Sequence, residues 1–208
     1  MPSTPLGYLS ALALAGVGVG YVLVLAVGFA RHGFREPMAD PVLAIMEILT
    51  LLSTVPLVTL MASIQDWSSP ARKACGLAAL AFATLCTGVT STVHFVELTA
   101  ARQLGVGGIV WPSRVYAAEL LAWDIFLGIA LLFAAHLFST GATERVARRS
   151  LLLCGGLCVA GAVGPAVGNM RLQLVGVFGY AVVLPVACVF VARALRHRSR
   201  RAAGITTE

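Results

Sequence analysis

Charge is what this sequence has least of. Asp, Glu, Lys and Arg make up 12% of its 208 residues, about half the ~25% of an ordinary soluble domain. Apolar residues fill 59% of it, against about 45–50% in soluble domains. A membrane protein is therefore expected, and almost all of the length goes into apolar runs, leaving no room for a separate soluble domain. A C-x-x-C pair, a G-x-S-x-G elbow and a usable Ser/His/Asp set are also missing, which removes the simplest redox and hydrolase readings. The first apolar run lacks the basic residues that precede a signal-peptide core and is too long for one. It is expected to stay as a helix.

The five cysteines, Cys75, Cys86, Cys154, Cys158 and Cys188, all lie in apolar sequence, where Cys packs as a small hydrophobe. No disulfide framework is expected from them. A membrane crossing needs about 20 apolar residues, and six runs qualify: 6–30, 41–64, 72–100, 115–138, 146–167 and 171–194. The fold class predicted is an all-α, polytopic six-helix bundle occupying residues 1–194, followed by a basic tail, 195–208.

Basic residues set the orientation. Arg72, Lys73, Arg145, Arg148, Arg149, Arg193, Arg196, Arg198, Arg200 and Arg201 fall on one side, and Arg31, Arg35, Arg102, Arg114 and Arg171 on the other. The richer side is expected to be cytoplasmic, with both termini there, in the cell's inner (plasma) membrane. A net charge of +6 distributed in this way speaks of headgroup contact and topology, so the bilayer is the expected partner and nucleic acid is not. Oligomeric state is not legible.

Small residues at helical spacing, Gly16 with Gly20 and Gly156, Ala160 and Gly164, predict close helix contacts. Pro56, Pro165 and Pro185 lie within or at the end of spans, where each removes a backbone donor. Pro56 follows Thr54 by two residues, so a kink there can widen a cavity or serve packing alone.

The informative part is polar. Glu47 and His94 are expected about 9 Å inside the outer ends of their helices, Glu119 about 6 Å and Asp124 about 13 Å. Glu97 lies nearer the surface. Such groups are expensive in a bilayer, and function is the default reading. Thr87, Thr90 or Ser91, His94 and Glu97 share one helix face, as do Glu47, Thr50 and Thr54. On the fourth span Glu119 and Trp123 share a face, while Asp124 is turned ~140° from Glu119. Asn169, Gln173 and Tyr180 form a matching stripe on the last span, and Tyr21 and His32 on the first. The bland reading is that Glu97, Glu119 and Arg114 sit in the headgroup zone, that Thr and Ser stripes tie helices together, and that Trp111, Trp123 and Tyr116 form an interfacial belt.

A carboxyl in apolar surroundings keeps its proton near neutral pH and can act as a general acid. A His one turn from a Glu is a proton-transfer pair. The reading favoured is an acid–base enzyme of isomerase or cyclase type, acting on a lipophilic isoprenoid- or sterol-like substrate in an outer-leaflet cavity. Glu47, His94, Glu97 and Asp124 are its candidate catalytic residues, with Asp124 or Glu47 as proton donor and His94 and Glu97 as base or relay. Glu119, Trp123, Thr90, Thr54 and Tyr180 are the candidate substrate contacts. No metal or cofactor is called for, although His94 and Glu97 with Glu47 and Glu119 or Asp124 could furnish a metal shell. A proton- or cation-coupled transporter of small solutes stays open, as does a non-catalytic accessory protein.

Three runs carry a resemblance: TSTVHFVELTAARQ at 90–103, WPSRVYAAELLAWDIFLGIALLFAAHLF at 111–138 and RLQLVGVFGYAVVLPVA at 171–187. They resemble a family of small bacterial multi-pass proteins, which implies six membrane helices and no activity. In chemistry rather than sequence, the His and Glu residues are similar to those of emopamil-binding sterol isomerases and small membrane terpene cyclases. His94-x-x-Glu97 departs from the wider isomerase spacing, and no catalytic assignment transfers.

Overall fold

Six apolar runs, too long and too poor in charge to be covered by water, fold as six helices long enough to cross a bilayer. In the computed structural model these are α1 (Pro5–Arg31), α2 (Val42–Asp66), α3 (Pro70–Leu104), α4 (Arg114–Ala135), α5 (Ala142–Ala166) and α6 (Met170–Arg200). The described residues are 4–33, 38–105, 109–138 and 141–202, with the side chains of Thr4, His32, Arg201 and Ala202 excepted. The His32 side chain, Arg35, the centre of the 105–112 connector and the end of the tail thus fall outside them. No strand occurs among the described residues. The chain is an all-α, multi-pass membrane protein.

Local chemistry sets several helix ends. Asp40 Oδ1 accepts from Ala44 N at the start of α2, Ser113 Oγ from Tyr116 N at α4, and Asn169 Oδ1 from Arg171 N at α6. Each satisfies an orphan donor of a first turn. Gly105 at φ +64° ends α3, and Gly168 at φ +71° follows α5, a conformation that costs glycine little.

Each helix packs on its neighbours in the chain, and α1 closes onto α6. Leu23, Leu52, Leu85, Phe95, Leu153 and Phe178 are exposed, so large apolar side chains face outward as lipid contact requires. The ring interior has two unlike halves. At the end bearing Arg72 and Arg198, Leu57, Met61, Ile64, Leu127, Leu131, Leu151 and Leu195 pack with at most 2% exposure. There Glu144 receives two hydrogen bonds from Arg198, at 2.7 and 2.8 Å, which also donates to the Leu137 carbonyl and lies over Phe138. Residue 194 therefore does not end the last helix: α6 carries Arg198 onward to clamp the loop before α5. The other half of the interior holds Glu47, His94, Glu97, Glu119, Asp124 and Gln173.

Close helix contact runs through glycines other than the expected ones. Gly16 and Gly156 have nothing within 4 Å of where a Cβ would stand, and Gly20 meets only Leu49 at 3.8 Å. The tight contacts are Gly18 against Pro185, Gly155 against the Gly128 carbonyl, and Gly161 against the Gly176 backbone. Gly164 does press on Gln173, as a close-packing residue should. In a bilayer such approach, rather than exclusion of water, supplies helix association.

A Cβ at Gly161 would stand 2.6 Å from Gly176 Cα. Gly161→Ala should therefore cost about 1–3 kcal/mol through overpacking, whereas Gly16→Ala should be neutral or slightly stabilising. Unfolding of both variants in detergent checks this. Equal stabilities would contradict the helix crossing described.

Candidate functional site

The polar half is built from the ends of α2, α3, α4 and α6 that bear Asp40, Arg102, Arg114 and Arg171. At 1.5 Å per residue, Glu47 and Glu119 lie about 8 Å inside their helix ends, and His94, Asp124 and Tyr180 about 15 Å. All five acidic or basic candidates are buried: Glu47, His94, Glu97, Glu119 and Asp124 are 8% exposed or less.

His94 Nε2 and Glu119 Oε1 are 2.9 Å apart. Trp123 Nε1 donates to the same oxygen at 2.5 Å. With Glu119 as a carboxylate, which only accepts, the imidazole Nε2 is assigned as the second donor to that oxygen, and His94 Nδ1 is the ring nitrogen left over. Nδ1 has no partner, nor have Glu119 Oε2 and Thr90 Oγ1. Glu119 and Trp123 lie four residues apart on α4, so one helix face presents acid and indole together.

A second ion pair closes the site end. Arg102 donates to Glu47 Oε2 at 3.0 Å and to Asp40 Oδ1 at 2.9 Å. Glu47 is 2% exposed as a side chain while Asp40 is 57% exposed, so the guanidinium spans from buried to open surroundings. Glu47 Oε1 has no partner, and His94 and Glu97 both lie within electrostatic reach of Glu47. Glu47, His94 and Glu119, from three helices, thus form one locality. Tyr21 of α1 and Tyr116 are within reach of Glu119 as well.

Asp124 belongs to a neighbouring cluster. It is 0% exposed, its Oδ1 sits where a Gly176 side chain would be, and that atom has no hydrogen-bond partner. Gln173 Nε2 reaches Asp124 Oδ2 at 3.5 Å and the Tyr180 hydroxyl at 3.4 Å, both at the long end of the range. The rings of Tyr180 and Trp123 lie 5.3 Å apart. A continuous path therefore runs from His94 through Glu119, Trp123, Tyr180 and Gln173 to Asp124. As their helical phases require, the two acids of α4 face different neighbours: Glu119 turns to α3, Asp124 to the crossing of α5 and α6.

Three widened π turns occur in this half, at Glu97–Ala101, Leu121–Leu127 and Gly179–Val183. They contain Glu97, Trp123 with Asp124, and Tyr180. Such insertions re-aim side chains and are frequent at functional sites.

Against the sequence reading, the imidazole is held by Glu119 on another helix rather than by Glu97 on its own. Glu97 is buried within reach of Glu47 instead of lying at the surface. Thr90 lies buried one turn below His94. Thr54 stands apart, about 10 Å further along α2 than Glu47, with its hydroxyl spent on the Leu51 carbonyl. Arg102 was read only as a marker of topology, and its sequence signal as a site residue was the basic group one turn beyond His94-x-x-Glu97. Among the described residues no cluster of three or more His, Cys, Asp or Glu is arranged to hold a metal ion.

Removing one partner of a buried pair strands the other's charge. Arg102→Ala should destabilise the protein by about 1–3 kcal/mol, and Glu47→Gln added to it should recover most of that loss. A double-mutant cycle in detergent measures the coupling. Strictly additive effects would mean that the two groups do not interact. No family model matches the chain, and no curated protein or solved structure matches it either.

Proposed function

We propose that this chain is an integral-membrane acid–base enzyme of isomerase or cyclase type, working on a lipophilic isoprenoid- or sterol-like substrate. Its place is the inner (plasma) membrane, with both termini cytoplasmic and the site in the outer leaflet. Ten basic residues flanking one side against five on the other support that orientation.

One observation carries the reading: a buried imidazole fixed by a carboxylate at 2.9 Å, with its second nitrogen free of any protein partner. Glu119 orients the ring, as an acid–base His requires. In the proposed cycle the imidazolium Nδ1–H protonates one carbon of an olefin, leaving a carbocation on the next. The neutral Nδ1 then takes a proton from an adjacent carbon, so the double bond moves and the imidazolium is restored. The carboxylates of Glu119 and Glu47 favour the positive charge that develops. Trp123 and Tyr180 offer aromatic faces to the same charge. Asp124 acts at one remove, through Gln173 and the Tyr180–Trp123 ring contact.

The far half of the interior favours this over transport. A conduit needs polar groups continuing to the other face, whereas Leu57, Met61, Ile64, Leu127 and Leu131 pack there with at most 2% exposure, and the polar Ser10, Ser63 and Glu144 of that half are bonded to Thr59 or Arg198.

Lipid extracts of cells with and without the protein, and reactions of reconstituted protein with isoprenoid and sterol-like olefins, provide the test. His94→Gln and Glu119→Gln should each lower product formation by about 10²-fold or more while the folded protein is retained. Product profiles unchanged by either substitution would defeat the reading.

A further inference from the structure

Resting on that reading of the site, the geometry points to the kind of head group it accepts: a hydrogen-bond-donating, non-anionic one, the hydroxyl or ammonium of a lipophilic alcohol or amine. Carboxylates and phosphates are excluded. The inference comes from which atoms are already used. Arg102 donates to Glu47 Oε2, so the atom left over on Glu47 is Oε1. His94 and Trp123 both donate to Glu119 Oε1, so the atom left over there is Oε2. Both free carboxyl atoms are oxygens, which accept and do not donate unless protonated; His94 Nδ1, the remaining unpartnered atom of the pair, is the one the proposed cycle assigns to the olefin.

The Glu47 side chain is 2% exposed and that of His94 7%, with Glu119 nearly as buried at 11%. A buried acceptor left without a donor costs about 1–3 kcal/mol, and that cost is recovered when a ligand donates to it. An ammonium brings three donors and a hydroxyl one. A carboxylate or phosphate brings only acceptors, set against two carboxylate oxygens in a low-dielectric site. The guanidinium that could have welcomed an anion already has its charge met by two carboxylates, Asp40 and Glu47, both bonded to Nη2.

The same bookkeeping supplies the test. In Glu47→Gln the amide oxygen must stay on Arg102, which puts an NH₂ where Oε1 was. In Glu119→Gln the oxygen must stay on His94 and Trp123, which puts an NH₂ where Oε2 was. Each substitution keeps the side-chain shape and turns a free acceptor into a donor. The probes are dodecylamine, dodecanol and dodecanoate, which share a chain and differ in head group. They are titrated into full-length protein in nanodiscs of uncharged lipid. Binding is read from Trp123 fluorescence after Trp67→Phe and Trp111→Phe, because that indole bonds Glu119 directly.

With otherwise native sequence, the amine and the alcohol should each bind at least tenfold tighter than the carboxylate. The amine and alcohol arms separate a requirement for charge from a requirement for a donor. In the Glu47→Gln, Glu119→Gln protein the preference should shrink at least tenfold or reverse, and gained dodecanoate binding would itself show that the variant is folded. Equal binding of all three probes to the native site, or an unaltered preference in the folded variant, would overturn the inference. Failure to turn over olefins would not, since the readout is binding alone.

Discussion

Glu119 Oε1 accepts from His94 and from Trp123, and the polar half of the molecule hangs on that shared oxygen. A carboxylate with 8% exposure inside a membrane helix is costly by several kcal/mol unless charge and hydrogen bonds meet it. Two donors from two helices do so here. Once Trp123 is fixed, its ring sets Tyr180, and Tyr180 shares Gln173 with Asp124. The last link ends on glycine, where Gly161 and Gly176 let α5 and α6 approach closely enough to enclose the Asp124 carboxyl. Loss of the first bond would free a chain of contacts that reaches across the ring.

The fold prepares for this by departing from regular helix. Three of the six helices carry a π turn, and each coincides with a polar residue of the network. A π turn weakens backbone hydrogen bonding locally and is retained where side-chain placement compensates. Among the described residues the apolar half is reached only by the last residue of one such turn, Leu127. Irregular helix turns are thus concentrated at one end, and tight apolar packing at the other holds the ring together.

The bundle was legible because lipid imposes a crude rule: about 20 apolar residues for each crossing. The six runs obey it, and six helices follow. The burial of Glu47, His94 and Asp124 was legible from depth, since an acid two or more turns inside an apolar run has nowhere cheap to go. Partnership was not. His94 and Glu97 are one turn apart in sequence, which made their pairing look local, yet Glu119 comes from another helix and takes the imidazole. Arg102 looked like a topology marker because a basic residue at a helix end normally is one. Among the glycines, periodicity singled out Gly16 and Gly156, but spacing says nothing about which face meets a neighbour. Gly161 and Gly176 matter because their contact is between helices. The π turns left no trace in a count at 100° per residue.

The central claim is that Glu119 holds the Nε2–H of a buried His94 and leaves Nδ1 free for chemistry. Nitrogen-15 NMR of labelled histidine in bilayers, with His94 assigned by its loss in His94→Gln, measures this directly. The expected spectrum has Nε2 protonated in a strong hydrogen bond and Nδ1 without a protein partner, and Glu119→Gln should weaken the Nε2 bond. An Nδ1–H tautomer, or a His94 signal indifferent to Glu119→Gln, would contradict the account.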